Sequence, residues 1–405
     1  MVATIINTLI GSDEPQHDYG CDGIFVDAAG VIHVVYANMS GGGGHSHIFY
    51  TKSLDNGVNW AAPTQLDFDN YGNYSQAYPR IAGLPNGNLL VVWSGKSPAG
   101  FGLFQIRYAK YTLGVGWSAA ADVTNTATNH QFTNRERQLI PNLAGTKYDL
   151  AYWGYREDVG GLGTTPKCRT FTDATDTWST PEDVMYPYSA NDQFLPSMSR
   201  DSADDLHAVW HAQPPAYTPE EIYYNKRTAG VWGTRTVLSD NPALSHYCAS
   251  ILATSPSDLH VCWTEMTTPS RVQYRHYNGL VWEAVEQVSV NTEQWSSLTR
   301  DSLGNIYVLF MGNDGGTNQM KVRKRSPAGA WDDVRVLTTG TAKRNPVSHY
   351  LHPNLWGKGQ SDQGFKLLYN KDGLQLYFYS EEEELPAEDY HACMKKSLRM
   401  PLEAR

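Results

Sequence analysis

Seven copies of one short apolar strand, a tryptophan-bearing turn after six of them, and a composition poor in charge predict an all-β protein. The architecture they point to is a single β-propeller of seven four-stranded blades. The strand copies are IHVVY (32–36), LLVVW (89–93), DLAYW (149–153), LHAVW (206–210), LHVCW (259–263), IYVLF (306–310) and FKLLY (365–369). Their closing aromatics fall 57, 60, 57, 53, 47 and 59 residues apart, enough chain for four short strands and their turns. Turns such as DAAG, LPNG and DSLG precede several copies.

After most copies comes a strand alternating polar and aromatic residues, a turn, a tryptophan and another strand, as in YYNKRTAGVWGTRTVL and KVRKRSPAGAWDDVRVL. The tryptophans are Trp60, Trp117, Trp178, Trp232, Trp282 and Trp331; the seventh unit lacks one and ends in LQLYFYS (374–380). One such sheet cannot bury both of its faces, whereas seven around an axis cover one another and leave only short edges. The seventh unit runs out of chain before its fourth strand. The β-type segment ATIINTLI (3–10) has no unit of its own, so it is expected to supply the missing strand and close the ring. The propeller then spans residues 1–380, and 381–405 form a C-terminal tail.

The bulk composition fits this picture and excludes several functions. Of 405 residues, 18% are charged and 12% aromatic, with 35 Gly and 21 Pro, the profile of many short strands joined by tight turns. A net charge of −10 argues against nucleic-acid binding, which needs a basic footprint. Five scattered cysteines, Cys21, Cys168, Cys248, Cys262 and Cys393, give neither a disulfide framework nor metal-ligand spacing. The N-terminus lacks the basic and apolar regions of a secretory signal, and no run is long enough to span a membrane. Cytoplasmic synthesis is therefore expected, with no membrane partner and no cofactor.

The segment SLDNGVNW (53–60) fits the pattern Ser-x-Asp-x-Gly-x-x-Trp and resembles the Asp-box, the bacterial neuraminidase (BNR) repeat. The chain from about residue 3 to 380 resembles the sialidase-like propellers that carry it, although the other turns keep only the tryptophan. The resemblance implies the fold, with Asp-box turns at one face of the ring and ligands at the other. Asp55 is expected to brace its hairpin rather than to do chemistry. Sialidases, polysaccharide lyases, glycan-binding propellers and phage structural proteins all use this architecture, so function must be read from the site.

That site is expected in the loops joining second to third strands and one blade to the next, where histidine, tyrosine and arginine concentrate. Elimination from an acidic polysaccharide needs a base, a group that neutralises the uronate carboxylate, and an acid for the leaving oxygen. The candidates for these roles are His130, Tyr155, Arg156, His211 and His246. Tyr78, Arg80, Arg135, Arg137, Tyr247 and Trp295 are the candidate ligand contacts, since rings suit sugar faces and guanidinium groups suit carboxylate or sulfate. The stretch YPRIAGLPNGNLL (78–90) resembles the arginine-bearing start of a sialidase blade, with Arg80 at the matching position and Ala82 where the family has Pro. The longer stretch QAYPRIAGLPNGNLLVVWSGKSPAGFG and the pair Tyr155–Arg156 resemble lyase propellers. His33, His207 and His260 recur at one place in the second strand and are expected to be structural, bonded to neighbouring backbone. The histidines of HSH (45–47) and SHYLH (348–352) read as loop residues, so no metal is expected.

The tail SEEEELPAEDYHACMKKSLRMPLEAR (380–405) turns from acidic to basic and is expected to dock on an assembly partner. The leading functional expectation is a recognition or structural propeller that binds glycan or protein through its loop-rich face, as a phage virion or tail component would. The alternative is an enzyme acting on acidic polysaccharide, a lyase ahead of a sialidase or other glycosidase.

Overall fold

A computed structural model describes residues 4–8, 23–39, 45–67, 75–96, 103–126, 130–133, 137–155, 164–184, 193–213, 219–289, 292–301, 303–314, 316–338, 343–348, 364–371 and 375–382. The chain forms antiparallel sheets in sequence order around an axis, a single all-β propeller. In the fourth blade the strands run Gln193–Arg200, Leu206–Ala212, Glu221–Thr228 and Thr236–Val237, from axis to rim. In the fifth they run His246–Ser255, Asp258–Glu265, Arg271–Tyr277 and Glu286–Gln287. The innermost strands of consecutive blades lie against one another. The outermost are short, which leaves little unpaired edge.

Six blades have described cores, against the seven expected from the repeat count. The seventh repeat lies in a sheet made of Lys343–Ser348, Gly364–Lys371, Gln375–Glu382 and Thr4–Thr8, which stands between the sixth blade and the first. This sheet differs from the other six because its outer strand comes from the opposite end of the chain. Thr4 pairs with Phe378 and Thr8 with Gln375, antiparallel. The last strand runs to Glu382, two residues past the expected boundary, and the rest of the tail lies outside the described residues.

Apolar residues from consecutive blades meet in shared clusters. Ile48 and Val35 of the first blade pack with Val91 and Trp93 of the second. Val209 and Ile222 of the fourth pack with Ile251 and Trp263 of the fifth. At the rim the turn tryptophans join the blades. Tyr50 meets Trp117 edge-on at 5.0 Å, and Tyr224–Trp282 and Tyr274–Trp331 repeat the contact at 5.1 and 5.0 Å. Such edge-to-face pairs add about 0.5–1.5 kcal/mol beyond the area they bury.

The three repeated histidines hold these tyrosines. His33, His207 and His260 use Nδ1 to bond the hydroxyls of Tyr50, Tyr224 and Tyr274 at 2.8, 2.8 and 2.6 Å. His33 and His207 turn Nε2 toward Asp27 and Asp201. They are structural as expected, but their partners are side chains and not backbone. A buried hydroxyl needs a partner, and the imidazole supplies it without displacing the ring from the tryptophan.

A second device ties the two inner strands of a blade together. The Trp93 indole N–H donates to Gln76 Oε1 at 2.8 Å, and Trp210 donates to Gln193 Oε1 at 2.7 Å. Trp263 donates to His246 Nδ1 at 3.1 Å, so His246 occupies the same place in the fifth blade. Its Nε2 lies 3.0 Å from the Asn241 carbonyl. Those two partners fix the tautomer, with the proton on Nε2 and the Nδ1 lone pair engaged. In the sixth blade Phe310 has no N–H, and Glu293 at the corresponding position instead receives Lys321 Nζ at 3.0 Å.

The hairpin at Ser53–Trp60 is braced by its own side chains. Ser53 Oγ receives the Gly57 amide at 2.8 Å, Asp55 Oδ1 receives the Asn59 amide at 2.8 Å, and Trp60 Nε1 donates to the Gly57 carbonyl. Asp55 is exposed and its hydrogen bonds hold its carboxyl below the usual aspartate range, led by the Asn59 amide.

Replacing His246 tests the indole device. His246→Gln restores the residue of the second and fourth blades, and its urea-unfolding free energy is expected to stay within about 1 kcal/mol of the parent. His246→Leu strands the buried Trp263 N–H and is expected to cost about 1–3 kcal/mol.

Candidate functional site

The site grows from the way each inner strand starts. The residue that takes the side-chain bond at the strand start, Gln76, Gln193 or His246 from an indole and Glu293 from Lys321, is followed two positions later by one in the left-handed region: Tyr78 (φ 59°), Leu195 (53°), Cys248 (58°) and Trp295 (57°). The pairing register slips at these places, between Ala77 and Arg80, Phe194 and Ser197, Tyr247 and Ser250, and Gln294 and Ser297. A β-bulge of this kind re-aims side chains, and none of the four residues is the glycine that would adopt such a φ without strain. Three of them, Leu195, Cys248 and Trp295, line one pocket.

That pocket has a volume of about 410 Å³ and opens where the inner strands of the fourth to sixth blades begin. Trp153, Phe194, Met266 and Trp295 form apolar walls, and His211, Tyr247, Thr264 and Gln294 bring polar atoms. A mostly apolar hollow with a few converging polar groups is the usual form of a small-ligand site.

The pocket lies at one end of a continuous row of rings. His130 stacks on Phe132 at 5.8 Å, and Phe132 meets Trp153 at 4.9 Å. Trp153 meets Phe194 at 5.1 Å, Phe194 meets His211 at 5.6 Å, and His211 meets Tyr247 edge-on at 5.2 Å. Tyr78 joins the row through Phe132, 6.5 Å away. The row crosses the third, fourth and fifth blades.

Tyr247 and His211 are held differently. The Tyr247 hydroxyl donates to Glu220 Oε2 at 2.8 Å, and Ser245 Oγ donates to the same oxygen at 2.7 Å. Burial raises the Tyr247 hydroxyl above its usual range, and the Glu220 carboxylate adds to this while Ser245 works against it. Burial also acts to raise Glu220, but the bonds from Ser245 and Tyr247 outweigh it and leave its carboxyl below the ordinary glutamate range. His211 is the penultimate residue of the second strand of the fourth blade, directly opposite Phe194, and is buried.

The remaining candidates are dispersed. His130 stands at the far end of the row, where the Phe104 amide donates to its Nδ1 at 3.1 Å. Burial and then Lys96 lower its pKa, which favours a neutral imidazole. His246 sits in the core with both ring nitrogens engaged, so it is not placed to exchange protons with a ligand. Arg80 and Arg137 are buried. Arg80 donates to the Pro79 carbonyl at 2.6 Å, and Arg137 reaches from the third blade to the Ile251 carbonyl of the fifth at 2.8 Å. Both arginines serve the inner ring and not its open face. The Tyr155 backbone ends the second strand of the third blade, opposite Thr164, two residues beyond Trp153. Arg135 and Arg156 lie outside the described residues.

Phe194, Trp153, Thr264, Met266 and Gln294 had not been singled out. Trp153 closes a repeated strand, and nothing else in the sequence distinguishes it from the other closing aromatics. His211 and Thr264, each following a closing tryptophan, share a position that aims at the face.

No protein-family model matches this chain, and no curated protein does. Solved structures do. An ulvan lyase of polysaccharide lyase family PL25, bound to -[GlcA(1-4)Rha3S]-, superposes with a TM-score of 0.64 at 11% identity, covering 93% of this chain and 98% of that one. The polysaccharide lyase Uly1 gives 0.55 at 11% identity, covering 92% and 91%. The α-L-arabinanase of Penicillium chrysogenum, complexed with arabinobiose, gives 0.56 at 15% identity, covering 80% and 98%. The structural neighbours are glycan-active β-propellers. At such identities the likeness establishes the fold, and the chemistry has to come from the pocket.

Tyr247→Phe removes one of the bonds that hold Glu220 ionised. A carboxyl with a depressed folded pKa gives stability that is present above its unfolded pKa and is lost as pH falls through the folded value. The variant's Glu220 is expected to titrate at higher pH, so its acid-side loss of stability should begin at higher pH than the parent's. Urea midpoints measured stepwise below about pH 5 check this, because ordinary glutamate titrates near 4.3.

Proposed function

We propose that this protein is a carbohydrate-active propeller that lays an acidic polysaccharide along the aromatic row and cleaves it by β-elimination in the pocket. The observation that carries the proposal is the facing pair His211 and Tyr247 in a pocket walled by Trp153, Phe194 and Trp295. The lyase neighbours support it at the level of fold.

In this reading His211 takes the proton from the carbon next to the uronate carboxylate. The electron pair forms the new carbon–carbon double bond, the bond to the glycosidic oxygen breaks, and Tyr247 returns a proton to that oxygen. A tyrosine kept protonated by burial suits the acid role. Thr264 and Gln294 line the same pocket and offer donors to the carboxylate, whose charge grows on its oxygens as the proton leaves. Arg156, three residues beyond Trp153, is assigned to neutralise that carboxylate.

Hydrolysis by a carboxylate pair has less support, since the described lining residues include no Asp or Glu. One observation favours a second reading: Tyr247 bonded to Glu220 is the pairing a tyrosine nucleophile requires. Sialidase chemistry would also need an arginine cluster, and Arg80, its expected member, is turned into the inner ring. A propeller that binds without cleaving needs the aromatic row and not the His211–Tyr247 pair.

Incubation with uronate-containing and neutral polysaccharides separates these readings. The lyase reading expects ultraviolet absorbance from unsaturated chain ends with the acidic substrates alone. His211→Ala and Tyr247→Phe should each lower turnover by about 10²-fold or more. Retention of glycan with no new ends would make the protein a recognition module; saturated new ends would make it a hydrolase.

A further inference from the structure

We propose that Asp258, His260 and His276, at the end of the fifth blade remote from the pocket, bind one divalent transition-metal ion of the zinc class. One donor atom from each residue lies within 4.8 Å of the other two. Asp258 Oδ1 is 3.4 Å from His260 Nε2 and 2.8 Å from His276 Nε2. Tetrahedral zinc with bonds of ~2.0–2.2 Å holds neighbouring donors ~3.3–3.6 Å apart, so small shifts complete the set.

The strands dictate the cluster. His260 and His276 are direct cross-strand partners, and their rings stack at 5.0 Å. Asp258 is two residues before His260, on the same side of the same strand. Each donor is also oriented from behind. His260 Nδ1 is bonded to the Tyr274 hydroxyl at 2.6 Å, and His276 Nδ1 to Glu283 Oε2 at 3.0 Å. Asp258 Oδ2 is held by Thr254, which leaves Oδ1 facing the two imidazoles. Bonds of this kind, from the far side of each ligand, fix ring orientation in metal sites.

Two observations separate this cluster from the structural histidines of the other blades. The His260 Nε2 atom is buried without a hydrogen bond, whereas His207 Nε2 bonds Asp201 at 3.0 Å. The cross-strand partner is the other difference. Lys52 stands opposite His33, Lys226 opposite His207, Lys110 opposite Leu90 and Lys324 opposite Tyr307. Among these blades only the fifth replaces the lysine with an imidazole, and it brings a carboxylate into the strand beside it. Two imidazoles and one carboxylate suit zinc and its neighbours rather than calcium or magnesium, which take oxygen. Asp258 and Glu265 are opposite ends of one strand, so the ion would lie roughly 20 Å from the pocket, by strand rise. It would cross-link two strands and take no part in the reaction there.

The test titrates chelator-stripped full-length protein with zinc and, separately, with cobalt(II). Expected are one equivalent bound, a tetrahedral cobalt spectrum, and a Tm that rises with zinc. His276→Lys restores the residue found in four other blades and therefore keeps the sheet. It should weaken binding at least tenfold and abolish the zinc-dependent Tm shift, with Asp258→Asn acting the same way. The absence of stoichiometric binding by the parent would overturn the proposal, as would unchanged binding in both variants.

Discussion

Each blade is a sheet with two apolar faces, and neither face can be left in water. That constraint organises the molecule. Covering every face with the next sheet forces a ring, and the ring places tyrosine of one blade against the turn tryptophan of the next. The same covering buries tyrosine hydroxyls and indole N–H groups that must then find partners. Histidine from the second strand answers the first need, and glutamine or His246 from the inner strand answers the second. The pocket is a consequence. The inner strands are pinned at one residue, by an indole bond in the fourth and fifth blades and by Lys321 in the sixth, bulge two residues later, and turn Leu195, Cys248 and Trp295 to a common hollow.

The fold was legible because its signal is periodic. A strand recurring every 47 to 60 residues with an aromatic at its end reports a unit that cannot stand alone. The pairing of the two chain ends was legible too, since a missing outer strand and a spare N-terminal one complement each other. The blade count was less so. Seven repeats can be counted in the sequence, but only six blades have described cores, and the remaining sheet is assembled from both ends of the chain.

The site was legible only in part. His211, Tyr247 and Trp295 were named, and the ring brings them together, because each belongs to the start or end of an inner strand. Spacing along the chain could not place them, since they come from three blades. It also could not distinguish His246, which shares their loop-end position but accepts an indole bond in the core. Arg80 and Arg137 illustrate the same point: near the axis a guanidinium finds backbone carbonyls before it finds a ligand. The His260–His276 pair escaped notice because cross-strand partners 16 residues apart have no sequence signature.

The most direct measurement is a crystal structure of the His211→Ala variant soaked with an acidic oligosaccharide. The account predicts sugar rings along Trp153 and Trp295, with the uronate carboxylate near Gln294 and the Tyr247 hydroxyl within hydrogen-bond distance of a glycosidic oxygen. A sugar bound at the rim or on the turn face, with this pocket empty, would contradict it.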